Sequence, residues 1–509
     1  MAVSGTLFAG GLLTNTNTNI AFNRNFARDG VIAIDGVYSN PAGVAFLSNG
    51  FHLSLNIQNV HQTRTIESGL TIPSLSGTPF ERPFTLNGGN ADGIKTFKGE
   101  ADVPILPSVQ AALNYDKWGF QLGFSLIGGG GKCTFGQGLA SFERPISMIP
   151  SLLYQTNQTY MGKYGVDLGL GTQTPGYAVT SYIKGQQYIF GLQFGATYKL
   201  SDNLAVYGGF RFNYIYNKYV GSITNISANI NGNNEKLYDY FSTRATEAQN
   251  ASTIYAATAA ATTDPAQKAQ LEKASALYAT AAKTFDTTKE SFADKYLECD
   301  QTGWGITPII GIDYKMGKLN LGARFELTND LNIENDTKRD DTGLFGDGVN
   351  TPNDIPGILT VGAQYELLPS LRVMGSYHYY FDKDAEMANN KQKLLSGNTQ
   401  EFLAGVEWDI TKNLMVSMGG QRTKYGLGDG AYLSDMTFVT SSYSVGFGAK
   451  FKIAKNASVN IAYFFTDYET FDKKYDGVIA LGGQEIPTHN TDCFTRTNKV
   501  FGAGVDIDF

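Results

Sequence analysis

The sequence predicts an all-β fold, a 14-stranded antiparallel transmembrane β-barrel with an N-terminal plug inside its lumen and a helical hairpin in one extracellular loop. Three observations predict this fold. Apolar and polar residues alternate over long stretches of the 509-residue chain, tight polar turns alternate with long loops, and a polar segment precedes the first alternating stretch. Alternating segments of about 10 residues separated by turns are typical of strands that span the outer membrane of Gram-negative bacteria.

The composition of the chain supports a membrane barrel and disfavours several other classes. Glycine (58), phenylalanine (32) and tyrosine (29) are abundant, and charged residues make up only 17%. The net charge of −7 disfavours a nucleic-acid partner. No run of 18 apolar residues occurs, so we expect no transmembrane helix. The first residues lack the features of a secretory signal, and we expect a mature sequence from which the signal has been removed.

Residues 1–49 form the first predicted domain, the plug. Within it, residues 23–49 are too polar and too interrupted by turn residues to form a strand. The charged residues and the turn that define the plug are Arg24, Arg28, Asp29, Asp35, Asn40, Pro41, Ala42 and Gly43. Proline fixes its own φ and an asparagine side chain bonds to nearby backbone, so this turn sets the path of the chain. We hypothesise that Arg24, Arg28 and Asp35 lock the plug to the barrel wall by ion pairs that a ligand would disturb.

Residues 50–509 form the second predicted domain, the barrel. Its first strand shows the pattern, since Phe51, Leu53 and Leu55 alternate with polar residues. Comparable alternation occurs at 118–126, 188–198, 402–410, 443–453 and 501–509. A lysine or arginine that faces the bilayer midplane costs about 2–4 kcal/mol, so an uncharged apolar face on so many strands indicates a lipid environment.

The connections between the strands alternate strictly between short and long. Short polar turns are expected at 116–117, 201–203, 315–318, 368–370, 411–413 and 454–456. Long loops are expected at about 67–102, 129–185, 222–302, 335–355, 383–400, 428–438 and 470–496. These turns and loops join fourteen strands, with the turns on the periplasmic side and the loops outside the cell. Closure of an even number of strands satisfies every backbone hydrogen-bonding group in lipid.

The extracellular loop at 222–302 contains two predicted helices, a hairpin that spans 235–298. Residues 235–262 are rich in alanine with apolar residues at helical spacing, and Asp264-Pro265 is typical of the start of a second helix. Two interpretations stay open. The apolar stripes of the two helices pack on each other, or the hairpin forms a cap that captures ligand above the mouth of the barrel.

Several motifs resemble those of one family of transporters. Asp35 followed by Asn40-Pro41-Ala42-Gly43 is similar to the plug motif of that family, an acidic residue shortly before Asn-Pro-Ala. Further similar stretches, in the order of the family, are Lys117 to Phe120, Phe212 to Tyr216, Gly303 to Gly305 and Val500 to Phe509. On these motifs, which extend over nearly the whole chain, the sequence resembles the FadL family of outer-membrane transporters for long-chain fatty acids and other hydrophobic compounds.

The resemblance implies a route for a hydrophobic ligand, which is captured outside, held at an internal apolar site gated by the plug, and released laterally into the membrane through a kinked third strand. The matching strand, 118–127, runs into Gly128, Gly129, Gly130 and Gly131. Successive glycines disfavour a regular ladder, so we expect the lateral opening there. A flexible start to the following loop is the alternative.

The internal site is expected to be an apolar pocket with one or two polar groups for the head of the ligand. Candidate ligand-binding residues in the lumen are Arg211, Ile215, Lys218, Arg324, Arg372, Met374 and His378. An arginine among them would either meet a carboxylate in a bidentate pair or pair with acids such as Glu326, Asp29 and Asp35. The basic positions that recognise the fatty-acid head in the family have no clean match, since Lys218 is only a nearby substitute and the later position falls near Thr328. Recognition of a carboxylate therefore stays open.

The sequence thus predicts a monomeric, multi-pass outer-membrane transporter for hydrophobic small molecules such as fatty acids, lipids or detergents, in contact with lipopolysaccharide and without a cofactor. The three cysteines show no metal-binding spacing, and no catalytic motif points to an enzyme. Two alternatives are a surface-interaction protein whose barrel anchors the helical hairpin, and a porin for polar solutes. An anchor needs no plug, whereas a gated transporter does.

Overall fold

The wall of the molecule is one closed sheet of antiparallel strands. The computed structural model describes residues 12, 14–165, 167, 169–170, 175–481 and 484–509. The strand segments are β1 (Gly50–Thr71), β2 (Ile94–Tyr115), β3 (Trp118–Phe135), β4 (Tyr177–Lys199), β5 (Leu204–Ile230), β6 (Asn233–Lys236), β7 (Lys295–Met316), β8 (Leu319–Glu326), β9 (Asn332–Asp340), β10 (Asn350–Pro352), β11 (Ile358–Leu368), β12 (Leu371–Tyr380), β13 (Gln400–Thr411), β14 (Leu414–Lys424), β15 (Ser442–Ala454), β16 (Ala457–Tyr468), β17 (Phe471–Leu481) and β18 (Gln484–Asp508). β1 pairs with β2 on one side and with β18 on the other, so the sheet closes on itself.

The prediction of a 14-stranded barrel is confirmed. The 18 segments of the described chain form 14 strands. Three pairs of segments, β8 and β9, β10 and β11, and β16 and β17, each make up one strand, and β6 is a short segment that pairs with the outer end of β5. The six predicted turns are also present, since each joins two neighbouring strands through four residues or fewer. Short turns at one end and long connections at the other give the barrel its two unlike rims.

Side chains of opposite character line the two faces of the wall. On β5, Phe210, Phe212 and Tyr214 are 44%, 37% and 40% exposed, whereas Arg211 and Asn213 between them are 3% and 0% exposed. A soluble protein has the reverse arrangement. The apolar outer face therefore lies in lipid, and the polar inner face surrounds the lumen.

The prediction of a loop at 470–496 is wrong, because most of this stretch forms β-strands. β17 and β18 pair from Phe471 opposite Phe494 to Leu481 opposite Gln484, and this ribbon extends the wall outward. A ribbon in water needs no apolar face, so its polar sequence resembled a loop. The three cysteines, Cys133, Cys299 and Cys493, fall within the ranges predicted as loops but lie in β3, β7 and β18, where they are free thiols.

Helices occupy the N-terminal segment and the extracellular loops. The α-helices of the described residues are α1 (Ile20–Arg24), α2 (Ala140–Ser147), α3 (Ile149–Tyr164), α4 (Leu237–Ala261) and α5 (Pro265–Glu290). Short 3-10 helices are formed by Ile34–Val37, Gly43–Phe46, Pro73–Leu75, Pro83–Asn87, Asp382–Asp384 and Ala388–Leu394. Across the part of the chain that the structure describes, every helix is too short or too polar to cross a bilayer.

α4 and α5 pack on each other as a hairpin. Ser252 Oγ donates a hydrogen bond to Ser275 O (2.9 Å), and Ser275 Oγ donates one back to Ser252 O (3.0 Å). The two helices also meet through the rings of Tyr255 on α4 and Tyr278 on α5, which stack with their centroids 5.3 Å apart. Asp264 caps the second helix through two backbone N–H groups, as its position before a proline suggests. These contacts correspond to the first of the two interpretations of the hairpin.

The chain itself fills the interior of the barrel. The N-terminal segment, residues 14–49, is almost entirely buried, and α1 within it contacts β15, β16 and β18. At the outer end, the loop at 425–441 folds inward and contributes to the largest apolar cluster. Its buried apolar side chains are Tyr425, Leu427, Tyr432, Leu433, Met436, Phe438 and Val439.

Candidate functional site inside the barrel

Two arginines of the N-terminal segment share one acid of the wall. Arg24 Nη1 and Arg28 Nη1 lie 2.9 and 2.7 Å from Glu407 Oε1 on β13. Arg28 also donates to both carboxylate oxygens of Asp35, at 2.8 and 2.9 Å. All four side chains are buried. Buried ion pairs are stable when hydrogen bonds of good geometry accompany them, so this cluster fixes the segment against the wall.

A histidine joins the segment to the wall at a second point. His378 on β12 places Nε2 2.8 Å from Asp29 Oδ2 and Nδ1 2.8 Å from Glu401 Oε2 on β13. Glu401 also accepts hydrogen bonds from Tyr380 Oη (2.9 Å) and Thr423 Oγ1 (2.8 Å). One imidazole therefore bridges two buried carboxylates and ties Asp29 to neighbouring strands.

A tyrosine of the segment contacts two arginines of the wall. The guanidinium carbons of Arg211 and Arg324 lie 5.0 and 4.7 Å from the centroid of the Tyr38 ring. Arg211 makes a bidentate pair with Glu326 at 2.7 and 2.8 Å, and Arg324 lies 3.4 Å from the same acid. Arg324 also donates a hydrogen bond to Tyr38 O. Cation–π contacts strengthen when they are shielded from water, so the two arginines hold the buried Tyr38 ring.

The turn at 40–43 binds two strands of the wall. Asn40 Nδ2 donates to Asp313 Oδ2 on β7 at 2.5 Å. Gln121 Nε2 on β3 donates to Pro41 O at 2.6 Å. The residues that resemble a plug motif therefore connect β3 with β7, between which β4 and β5 lie in the wall.

Two small residues let this turn approach the wall. Ala42 is completely buried beside Tyr207 and Ile309. A Cβ atom added at Gly43 would lie 2.4 Å from Asn40 Nδ2, so a larger residue would displace the side chain that bonds to β7.

The ladder between β2 and β3 is interrupted beside the glycine run. Residues 103–108 of β2 have no partner in β3 in this described part of the wall. On β3, Gly129 and Gly130 have φ of +64° and +125°, which favours glycine. Asn15 of the N-terminal segment donates from its backbone to Ile127 O (2.7 Å) and from Nδ2 to Gly129 O (2.9 Å). The segment therefore bonds to carbonyl groups at the place where the regular pairing stops.

Apolar surfaces flank the N-terminal segment. An inner cluster packs beside Tyr38 and consists of Ile127, Ile189, Ile215, Leu331, Ile333 and Ile355. Further out, a cavity of about 270 Å³ opens between α2, the outer ends of β4, β5 and β7, and the loop after β9. Its apolar lining includes Ile146, Ile183, Ile223, Leu297, Leu344 and Phe345. A concave, mainly apolar surface of this kind is typical of small-molecule sites, and its volume is that of a small ligand.

Most of the predicted lumen residues lie in the interior. Those that are buried are Arg211, Ile215, Arg324, Met374 and His378. Arg372 is partly buried and pairs with Asp409 Oδ2 at 2.7 Å. The prediction for Lys218 is wrong, because its side chain lies on the outer face and pairs with Glu298 Oε1 at 2.9 Å. Lys218 is three residues from Ile215, and an odd spacing along a strand reverses the face.

Sequence reasoning missed most of the acidic residues of the wall that hold the N-terminal segment in place. Glu407 and Glu401 on β13 and Asp313 on β7 are buried partners of the N-terminal segment or of the residues that hold it. Each stands at an inward position of an alternating strand. A buried acid needs a partner, so the alternation could have identified these three acids as partners of polar residues in the interior.

Two lysines contact the inward-folded loop at the outer mouth. Lys391 Nζ lies 4.6 Å from the ring centroid of Tyr432, and Lys473 Nζ donates to Leu433 O at 2.7 Å. Burial and, to a smaller extent, the positive charge of Lys473 together lower the pKa of Lys391 to about 8. The charge at the mouth therefore varies near neutral pH.

The closed 14-stranded wall, its outward apolar belt and the polar segment inside it define an integral barrel protein of the Gram-negative outer membrane. No family model matches the sequence, and no curated protein matches it. Solved structures do match the fold. A FadL homologue from Pseudomonas aeruginosa superimposes with a TM-score of 0.57 at 12% identity, covering 98% of this chain and 100% of that chain.

Channels with related descriptions also match. A deltaS2S3 mutant of the monoaromatic hydrocarbon channel TodX has a TM-score of 0.50 at 12% identity, covering 96% of this chain and 99% of that chain. The toluene transporter TodX of Pseudomonas putida has a TM-score of 0.47 at 12% identity, covering 94% of each chain. The resemblance that the sequence motifs indicated is thus confirmed for the fold, which is FadL-like.

Proposed function

We propose that this chain takes up hydrophobic small molecules across the outer membrane, with the N-terminal segment acting as a plug. The observation that carries the proposal is the interrupted β2–β3 ladder beside an interior with apolar clusters. An opening at this place would deliver an apolar molecule into lipid instead of water. The solved structures that share the fold include a FadL homologue and a mutant of a monoaromatic hydrocarbon channel, which supports the same broad class of ligand.

Uptake begins at the outer cavity. Among the described residues its lining is mainly apolar and includes one charged side chain, Lys295. The outer half of the barrel continues inward as an apolar cluster. Burial of apolar surface stabilises a bound ligand by about 25 cal/mol per Å², so an alkyl or aromatic compound is the ligand that this lining favours. The base of the helical hairpin forms one edge of the cavity through Ser291.

The plug controls passage through the lumen. Tyr38 packs against the inner apolar cluster, and Arg211 and Arg324 lie within 5.0 Å of the centroid of its ring. A ligand that enters the inner cluster would compete with Tyr38 for the same surface. Movement of Tyr38 would strain the neighbouring contacts of Asp29 and Asp35, and in this way ligand entry loosens the plug.

Release occurs through the wall beside the glycine run. Ile105 lies in the unpaired stretch of β2 and is 67% exposed on the lipid side. Asn15 covers the gap from within through its bonds to Ile127 O and Gly129 O. Withdrawal of Asn15 would leave an apolar-edged opening into the membrane.

The experiment that tests this route replaces Gly128 to Gly131 by Val-Thr-Val-Thr, residues that favour a continuous strand. Uptake of radiolabelled oleate and of radiolabelled toluene is measured in Gram-negative cells that lack their own importers of hydrophobic compounds. We expect uptake to fall to background while the protein keeps the heat-sensitive gel mobility of a folded barrel. Gly208→Val on β5 is the matched control, because a Cβ there meets no atom within 4 Å. Unchanged uptake in the four-residue variant would overturn lateral release.

A porin for polar solutes is the less favoured function, because residues 14–49 occupy the lumen and are held by buried ion pairs. Planar-bilayer recordings distinguish the two. The transporter is expected to show no steady conductance of the size of an open porin, whereas a large, stable conductance would favour the porin.

A further inference from the structure

A recess at the periplasmic rim of the barrel lies beneath the N-terminal segment. Its volume is about 900 Å³. Three short turns between neighbouring strands form its edge, at 368–370, 411–413 and 454–456. Its inner surface includes Met415, whose Sδ lies 3.5 Å from Arg24 Nη1 of the N-terminal segment. The recess therefore extends from the aqueous rim to the N-terminal segment.

The recess lies on the lumen side of the wall. On β15, alternate residues from Ser442 to Lys452 point inward, and Lys450 in this row pairs with Asp506 Oδ2 of β18 at 3.0 Å. Lys452 is the last lysine of the row, and its backbone N–H donates to Asn413 O at 2.9 Å. Lipid head groups surround the outer face of the barrel and do not face this recess. An occupant must enter it from the periplasm.

Three lysines at the edge of the recess lack an acidic partner. Lys412, Lys452 and Lys455 line the recess, and all three are exposed. In the part of the chain that the structure describes, none of the three forms an ion pair, whereas the neighbouring Lys450 does. Three positive charges are thus concentrated at one side of the periplasmic mouth.

The acidic side chains of the lining already have partners of their own. Asp409 Oδ2 lies 2.7 Å from Arg372 Nη1, and Asp508 Oδ1 lies 2.6 Å from His52 Nδ1. The wall therefore supplies no counter-charge for the three lysines within its described residues. Like charges on one edge repel each other, and an anionic partner relieves this repulsion.

The spacing of the lysines favours an extended acidic segment over a single small anion. Lys412 lies between β13 and β14, and Lys455 lies between β15 and β16. Neighbouring strands are about 4.8 Å apart, so the two turns are separated by about 10 Å. An extended peptide advances about 3.3 Å per residue, so about four residues span this distance. Apolar side chains of the lining, Leu368, Leu414 and Met415, provide surface for apolar residues of the same segment.

We propose that this recess docks an acidic segment of a periplasmic protein, in which acidic and apolar residues are interspersed. The ammonium group of lysine is a point charge on a flexible stem, so it adapts to carboxylates at varying positions along a peptide. Complementary charge of this kind accelerates association and selects the partner. A docked segment lies against the N-terminal segment, because the recess ends at Met415 and Arg24. The inference goes beyond uptake and does not depend on which hydrophobic molecule is transported.

The test uses the full-length protein in nanodiscs, in which both rims are accessible. A fluorescein-labelled peptide of the sequence Glu-Leu-Glu-Glu-Leu-Glu is titrated with the protein, and binding is followed by fluorescence anisotropy. The reference peptide has glutamine in place of every glutamate. We expect the acidic peptide to bind about tenfold or more tightly at low salt, and this preference should shrink as added salt screens the exposed charges.

A triple variant removes the three charges of the recess. Lys412→Gln, Lys452→Gln and Lys455→Gln are combined in one chain. An exposed ion pair contributes up to about fivefold in affinity, so the loss of three pairs should weaken binding of the acidic peptide about tenfold or more. Binding of the glutamine peptide should not change. Heat-sensitive gel mobility verifies that the variant forms a folded barrel.

The matched control removes the same amount of charge at the opposite end of the molecule. It replaces three exposed lysines of α5 by glutamine. These lysines are Lys268, Lys273 and Lys283. The control variant should bind the acidic peptide as tightly as the wild-type protein does, because its substitutions lie outside the periplasmic rim.

Carbodiimide cross-linking tests the site without any substitution. The reagent joins a carboxylate of the bound peptide to a nearby amine as an amide, and mass spectrometry of the wild-type protein identifies the lysine. We expect cross-links at Lys412, Lys452 and Lys455. Few or none are expected at Lys283 on α5.

Several outcomes would overturn the docking site. They are equal binding of the two peptides to the wild-type protein, binding of the acidic peptide that survives the triple variant of the recess, and cross-links distributed evenly over both ends. Sedimentation with purified peptidoglycan that requires the three lysines, without any binding of the acidic peptide, would replace the protein partner by the cell wall. Uptake of hydrophobic molecules is measured separately, so these outcomes leave the proposed function standing.

Discussion

His378 on β12 holds Asp29 of the N-terminal segment, with 2.8 Å between Nε2 and Oδ2. His378→Phe removes this bond and leaves Asp29 and Glu401 buried without the imidazole between them. Breaking a buried pair by removing one partner costs about 3–5 kcal/mol, so residues 20–40 should detach from the wall more often. Hydrogen–deuterium exchange of peptides from this region should accelerate roughly tenfold or more. His61→Phe is the control, since the His61 side chain is 44% exposed on the outer face. Similar exchange rates in both variants would contradict the role of His378 in holding Asp29.

Glu407 has a larger role than its neighbour two residues along the same strand. Glu407→Gln removes the acceptor that Arg24 and Arg28 share, and we expect a loss of about 3–5 kcal/mol in the free energy of unfolding. Asp409→Asn on the same inward row should cost less than about 1 kcal/mol, because the side chain of Asp409 is 38% exposed and its pair with Arg372 is screened by water. Unfolding in urea, followed by tryptophan fluorescence, measures both variants. Equal losses would show that burial does not set the strength of these pairs.

Gly129 is a position that only glycine fits in the irregular path that β3 follows here. Its φ is +64°, and an added Cβ would lie 2.3 Å from the backbone oxygen of Gln187 on β4. Gly129→Ala should therefore shift β3 and loosen the contact with Asn15, which protease treatment of the N-terminal segment would detect. Gly136→Ala, just after β3, should have no effect because a Cβ there meets nothing within 4 Å. Identical protease sensitivity of the two variants would contradict the role of Gly129 in positioning the carbonyl that Asn15 contacts.

Parity along the strands was enough to predict the barrel and much of its interior. Arg211, Arg324 and His378 were placed in the lumen from alternation alone, because a two-residue period assigns each side chain to a face. Lys218 was chosen instead by likeness to a family position, and the parity that placed the others excludes it. The sequence could not give the pairing of the charges. Arg24 and Glu407 are 383 residues apart, and their contact depends on how the plug enters the closed barrel.

The outer structure was harder to predict for a different reason. Beyond the lipid belt a strand needs no apolar face, so the ribbon of β17 and β18 carried no periodic signal although its backbone pairs regularly. Contacts across the closing seam were missed for a related reason. Arg64 and Arg496 become neighbours only because the first strand pairs with the last.

Lys391 should titrate well below the usual range of a lysine. Burial and the charge of Lys473 lower its pKa to about 8, against 10.5 for an ordinary lysine side chain. The folded protein therefore binds fewer protons than the unfolded chain between about pH 8 and 10.5, so the stability of the outer loops should rise with pH across this window. Below pH 8 the lysine is charged in both states, and its cost to the folded state is fully present.

Acylation by an N-hydroxysuccinimide ester, followed by mass spectrometry, measures this titration because only the neutral amine reacts. The rate at Lys391 should rise with a midpoint near pH 8. Lys473→Gln removes the neighbouring positive charge and should move the midpoint upward, whereas Lys412→Gln, on a turn at the opposite rim, should leave it in place. A midpoint near 10.5, or one that ignores Lys473→Gln, would show that the mouth of the barrel is open to water around Lys391.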